Sequence, residues 1–177
     1  MSAALPRVLI PADMIAARVS SLAGEIASQM PKDMMVVSLL RGSFVFTADL
    51  IRALHLAGAT PQVDFMTLSS YGNTQSSSGT VQIVRDLTES MQGRDVLIVD
   101  DILESGRTLA FACDLIKSRN ARSVRIAVML EKTGKCKVEL KADFVGFPIE
   151  DVFVVGYGLD YANYFRELPY IGEVINS

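Results

Sequence analysis

Four consecutive apolar residues, Val96, Leu97, Ile98 and Val99, run without a polar break into the paired carboxylates Asp100 and Asp101, and then into the turn Glu104, Ser105, Gly106, Arg107 and Thr108. An apolar run with no alternation marks a strand buried on both faces, and such strands belong to parallel sheets covered by helices. Leu109, Ala112, Cys113 and Ile116 follow at helical spacing, so the turn opens a helix. The first amides of a helix lack intrahelical partners and carry partial positive charge, and Gly106 has no side chain to hold an anion away from them. A phosphate fits there. Acids beside a phosphate repel it unless sugar hydroxyls or a metal intervene, so the pattern asks for a ribose phosphate accompanied by magnesium, which prefers hard oxygen ligands. Ligands of open parallel sheets bind beyond the carboxyl ends of the strands, which makes this junction the candidate active site.

The rest of the chain repeats the strand-helix alternation. Ile15, Val19, Leu22 and Ile26 predict a first helix that begins near Asp13 and ends before Pro31, and Met34 to Leu40 reads as a strand. Phe44, Ala48, Ile51 and Leu54 line a second helix, and Val63 to Leu68 is a further strand. Val81 to Val84 is a short strand, Ser105 to Arg119 the helix after the acids, and Val124 to Leu130 another buried strand. The fold class is therefore α/β, a central and largely parallel sheet flanked by helices. From Phe144 to Tyr157 short strands are broken by Pro148, Gly156 and Gly158 with no helix between them, which predicts a small hood over the edge of the sheet, formed by about residues 143–177. Ser69 to Gly79 is rich in serine and glycine and too long for a tight hairpin. A segment of that length in a compact domain is functional or disordered, and a lid over about residues 69–83 is expected.

A length of 177 residues, half of them apolar and 21% charged, suits one domain with a sizeable core. A net charge of -3 gives no general attraction for nucleic acid or an anionic membrane, so any phosphate must be held locally. No apolar stretch approaches the ~18 residues of a membrane span. Met1 to Ile10 has no hydrophobic core of a secretory signal, and Cys113 and Cys136 fit no metal-ligand spacing. A cytoplasmic protein with reduced thiols is expected.

With the acidic junction set between a strand and a helix, the chain resembles the phosphoribosyltransferases, and more narrowly the bacterial hypoxanthine (hypoxanthine-guanine) type. The resemblance runs over nearly the whole chain: Leu39-Leu40-Arg41-Gly42-Ser43, Ser69-Ser70-Tyr71-Gly72, the junction itself, Leu130-Glu131-Lys132, Asp143-Phe144-Val145-Gly146-Phe147, Phe153 to Tyr161, and Tyr164-Phe165-Arg166. It implies a type I phosphoribosyltransferase fold and a magnesium-dependent reaction. A 6-oxopurine displaces pyrophosphate from phosphoribosyl pyrophosphate, giving IMP or GMP in purine salvage. It also implies a homodimer or homotetramer.

By that resemblance Asp100 and Asp101 hold the ribose hydroxyls directly or through metal, and Glu104, Ser105, Gly106, Arg107 and Thr108 grip the 5′-phosphate. Arg41 and Gly42 match the family's pyrophosphate loop, where a non-proline cis peptide often occurs, and Arg166 matches a second pyrophosphate contact. Lys132, a donor-only ammonium, suits the carbonyl O6 of hypoxanthine or guanine and not the amino group of adenine. Phe153 offers a ring for stacking, the backbone of Val154 and Asp160 meets the far edge of the purine, and the Asp160 carboxylate reaches a second magnesium. Ser70 and Tyr71 belong to the lid. Glu104 takes the N7 proton as the glycosidic bond forms, although the family's usual residue there is aspartate. One extra methylene shifts a carboxylate by roughly one ångström, and shifts of that order can cost ~100-fold in rate when nothing compensates. Two alternatives stay open: a phosphoribosyl pyrophosphate sensor of the same fold that performs no turnover, and a xanthine-preferring transferase.

Overall fold

The computed structural model describes residues 6–71 and 80–175. In chain order the elements are β1 (Arg7–Ile10), α1 (Ala12–Gln29), β2 (Met35–Leu40), α2 (Phe44–Leu56), β3 (Gln62–Tyr71), β4 (Thr80–Arg85), β5 (Asp95–Leu103), α3 (Arg107–Ser118), β6 (Ser123–Lys132), β7 (Phe144–Ile149), β8 (Val154–Val155) and β9 (Ile171–Glu173). Six strands form the main sheet in the order β4-β3-β2-β5-β6-β7. All neighbouring pairs are parallel except β3 with β4.

The apolar run Val96–Val99 sits at the middle of this sheet and divides its side chains between two cores. Leu97 and Val99 join Val19, Leu22, Ile26, Phe46 and Leu50 of α1 and α2 on one face. Val96 and Ile98 join Leu109, Ala112, Cys113 and Ile116 of α3 on the other. Each such side chain is worth ~1.5–3 kcal/mol of burial, so neither face of β5 could be left open to water. Helix α1 stops where Met30 turns extended ahead of Pro31, the conformation that proline imposes on its predecessor.

Two expectations need correction. Phe144–Ile149 does not belong to the hood: β7 pairs in parallel with β6 and forms an edge of the main sheet. The hood is a separate three-stranded sheet, β1-β9-β8, to which the start of the chain contributes a strand. The four residues of β1 are too few to show a periodicity. At the β7 edge, Arg18 of α1 donates from Nε to the carbonyl of Gly146 (2.9 Å) and from Nη2 to that of Val145 (2.7 Å). The residues expected to form a lid begin as a hairpin, since β4 runs back along the end of β3 with Ser69 paired to Gln82. The side chains of Ser70 and Tyr71 and residues 72–79 lie outside the described residues.

The strand order reverses between β2 and β5. After β2 the chain adds β3 and β4 on one side, then returns to lay β5 on the other. Loops leaving the carboxyl ends of these two strands diverge and leave a crevice, where ligands of open α/β sheets bind.

Candidate active site

The crevice holds a pocket of about 260 Å³, lined by Arg41 and Gly42 after β2 and by Asp100, Asp101, Glu104, Ser105, Gly106 and Thr108 along the end of β5 and the start of α3. The acids are not beyond the strand, as the sequence suggested, but within its last residues. Their backbone is thus fixed by the ladder, and Asp100 pairs with Val128 of β6. Asp100 accepts the amide of Asp101 (3.0 Å) and Asp101 that of Ile102 (2.8 Å). Among the described residues neither carboxylate forms an ion pair within 4 Å. Burial, and then the like charge of Asp101, push the Asp100 carboxyl well above the usual carboxylate range. Burial raises Asp101 too, and its hydrogen bonds and the Arg166 guanidinium offset part of that rise. Two half-buried carboxylates short of compensating charge are suited to a cation or to sugar hydroxyls.

Glycines let the loops close around them. A Cβ on Gly42 would lie 1.6 Å from Oδ2 of Asp101, so only glycine permits this approach of loop and acid. On its other side, a Cβ on Gly158 of the hood loop would lie 2.3 Å from the Gly42 carbonyl. The peptide Leu40–Arg41 is cis, at the loop where one was expected. Gly106 caps α3 in the left-handed region (φ 77°) with no side-chain cap, so the helix begins at Arg107 and not at Ser105. The Ser105 hydroxyl stands 3.5 Å from the Arg107 amide. Arg107 itself is exposed and does not line the pocket.

The remaining candidates do not line the pocket. Lys132, only 8% exposed at the end of β6, lies 3.3 Å from Glu104 Oε2 and 3.3 Å from Asp151 Oδ1. Arg166 pairs with Asp160 (2.7 Å) and donates to the Gly158 carbonyl (2.6 Å). Asp160 also accepts the amide of Asn163 (2.7 Å), so it stands engaged and apart from Asp100 and Asp101. Phe153 is half exposed and meets the edge of Tyr161 with ring centroids 5.6 Å apart. The Val154 side chain is buried in the core, and its strand pairs with Glu173.

Residues 11–162 match the family of the phosphoribosyl transferase domain. The chain belongs to the phosphoribosyltransferases. It is 45% identical over 171 residues to a hypoxanthine phosphoribosyltransferase of Escherichia coli, covering 95% of this chain and 94% of that one. It is 44% identical over 169 residues to a hypoxanthine-guanine phosphoribosyltransferase of Bacillus subtilis, with 95% and 92% covered. A crystal structure of a hypoxanthine phosphoribosyltransferase from Staphylococcus aureus superposes with a TM-score of 0.89 at 39% identity, over 96% of this chain and 91% of that one. The resemblance drawn from the motifs, and the α/β fold it implied, are borne out.

In this phosphoribosyltransferase two neighbours of the site escaped the sequence argument. Asp151 sits in the turn between β7 and β8, and Tyr161 in the loop after the second hood strand. Each gains its place from the meeting of turns distant in sequence, and neither belongs to a periodic pattern. An acid two residues before Phe153 was the only trace of the first.

Proposed function

We propose that the chain transfers the 5-phosphoribosyl group of phosphoribosyl pyrophosphate to hypoxanthine or guanine, releasing pyrophosphate. What carries this reading is that paired acids, an amide-lined helix start and the Arg41–Gly42 loop share one pocket at the point where the strand order reverses. Relatives of 44–45% identity that bear the names of such enzymes support it.

The 5′-phosphate rests on the first amides of α3, with Ser105, Gly106 and Thr108 around it and Arg107 adding charge from the rim. Asp100 and Asp101 take the ribose hydroxyls. Arg41, the Gly42 backbone and Arg166 hold the pyrophosphate, whose negative charge grows as the glycosidic bond breaks. Positive charge then spreads over the ribose ring, and the fixed carboxylates stabilise it by position without covalent attack. Lys132 donates to O6, Phe153 stacks on the ring, and the backbone of Val154 and Asp160 meets the far edge. Glu104 accepts the N7 proton.

The donor set fits magnesium, because Asp100 and Asp101 are half-buried carboxylates that form no ion pair among the described residues, and this ion is usually held by one or two carboxylates together with substrate phosphates. When bound it supplies positive charge against the pyrophosphate. Asp160, the third expected ligand, has one oxygen on Arg166 and the other on the Asn163 amide. Two free thiols, Cys113 and Cys136, suit a cytoplasmic location. No helix of the described residues is long and apolar enough to cross a membrane.

Incubation with phosphoribosyl pyrophosphate, magnesium and hypoxanthine, followed by product absorbance, tests the reaction, and competition with guanine and xanthine in one assay ranks the bases. Turnover of hypoxanthine or guanine is expected. Binding of phosphoribosyl pyrophosphate without turnover would make the chain a sensor. Crystals soaked with ribose 5-phosphate should hold the sugar over residues 100–108, and its appearance elsewhere would overturn the assignment.

A further inference from the structure

Lys132 closes β6 with its stem buried, and its ammonium has two carboxylate neighbours at the same distance. Glu104 approaches from the turn between β5 and α3, and Asp151 from the turn between β7 and β8, each at 3.3 Å. The second oxygen of Asp151 is taken by Lys135, three residues beyond Lys132 in the turn that follows β6. Asp151 is therefore clamped between two ammonium groups, one at the end of β6 and one in the turn after it, whereas Glu104 is 53% exposed and has no second cationic partner among the described residues.

We infer that Asp151 is a positioning residue for purine recognition, one that anchors the Lys132 ammonium at the base end of the site and keeps it from closing fully onto Glu104. The inference rests on the roles proposed above for Lys132 and Glu104. An ammonium with a buried stem seeks whatever acceptor remains within reach, because a buried charge without a partner is costly. Without Asp151 that acceptor is Glu104. Such a pair takes from the purine carbonyl the donor that recognises it and engages the carboxylate needed by the N7 proton. An ordinary exposed ion pair would matter little, but here one partner is 8% exposed and stands at the centre of three charged groups. Asp151 also lies two residues before Phe153, so the turn it anchors carries the stacking ring.

The test uses the full chain and the variants Asp151→Ala and Asp151→Glu, alone and on a Lys132→Met background. KM is measured for hypoxanthine and for phosphoribosyl pyrophosphate separately, with thermal melts as the control for folding. Asp151→Ala should raise the hypoxanthine KM about fivefold and leave the phosphoribosyl pyrophosphate KM and the melting temperature nearly unchanged, the order expected of a partly exposed ion pair. Asp151→Glu should restore most of the loss. On the Lys132→Met background the Asp151→Ala change should have no further effect, since a residue acting through another is not additive with it. Equal rises in both KM values, no rise in either, or an undiminished effect on the Lys132→Met background would each overturn the inference while leaving the proposed reaction intact. A wild-type chain without turnover would remove both.

Discussion

One methylene beyond the family's usual aspartate, the Glu104 carboxylate reaches Lys132 across 3.3 Å and remains half exposed at the rim of the pocket. Removing it should therefore cost rate and not stability. Glu104→Ala is expected to lower kcat by about 10²- to 10⁴-fold, the usual contribution of a positioned general base, with an unchanged melting temperature. Glu104→Asp should remain active, and an alanine variant of full turnover would take Glu104 out of the mechanism. Gly42 makes the opposite case, because its missing Cβ is what allows Asp101 to lie against the loop. Gly42→Ala must displace one or the other, and a displacement of an ångström can cost ~100-fold in kcat/KM. At this scale the acids and the glycine turn were legible in the sequence because their chemistry is local: a buried strand end, two carboxylates and a helix start are adjacent in the chain. Lys132, Phe153 and Arg166 were found only through the family, since an isolated lysine, aromatic or arginine carries no local signal. Asp151 escaped because its partners come from other turns.

Among the elements, those with a long apolar period were the readable ones. Helices α1, α2 and α3 and strands β2, β5 and β6 lie where the spacing put them, within a few residues at each end. The errors fell on short strands whose partner is decided by tertiary contact. The residues of β7 read as hood because no helix separates them from the short strands that follow, yet they pair with β6, and β1 is only four residues long. The start of α3 came out two residues late because Gly106, in the left-handed region at φ 77°, is its cap. That position yields a prediction. Alanine there adopts a disfavoured backbone and brings a Cβ to 2.7 Å from Cys136 Sγ. Gly106→Ala should destabilise the chain by about 1 kcal/mol or more and raise the KM for phosphoribosyl pyrophosphate more than that for hypoxanthine, because the helix start moves and the base end does not. Thermal melts and kinetics with each substrate varied would check this, and a selective rise in the hypoxanthine KM would contradict it.

For the molecule as a whole, acid stability depends on carboxylates that tie the sheet to its loops. Burial acts to raise Asp64, but the backbone amides of Glu89, Phe65 and Thr88 outweigh it and hold the group below its ordinary range. Its contribution is present above the unfolded value of about 3.9 and is lost as pH falls through the lower folded value. The wild type should thus melt above Asp64→Asn by a constant margin near neutrality, and the margin should shrink below about pH 4. A margin independent of pH would show that the carboxylate charge is not what matters. The reversal of strand order has a kinetic consequence. The Arg41–Gly42 loop leaves β2 and the acids ride on β5, and between these neighbours the chain must first build α2, β3 and β4. Without both loops in place the two phosphate ends of phosphoribosyl pyrophosphate have no common seat, so this compound added to a refolding mixture gains its full grip only once β2 and β5 have paired. It should slow the escape from the native state and leave the rate of arrival untouched.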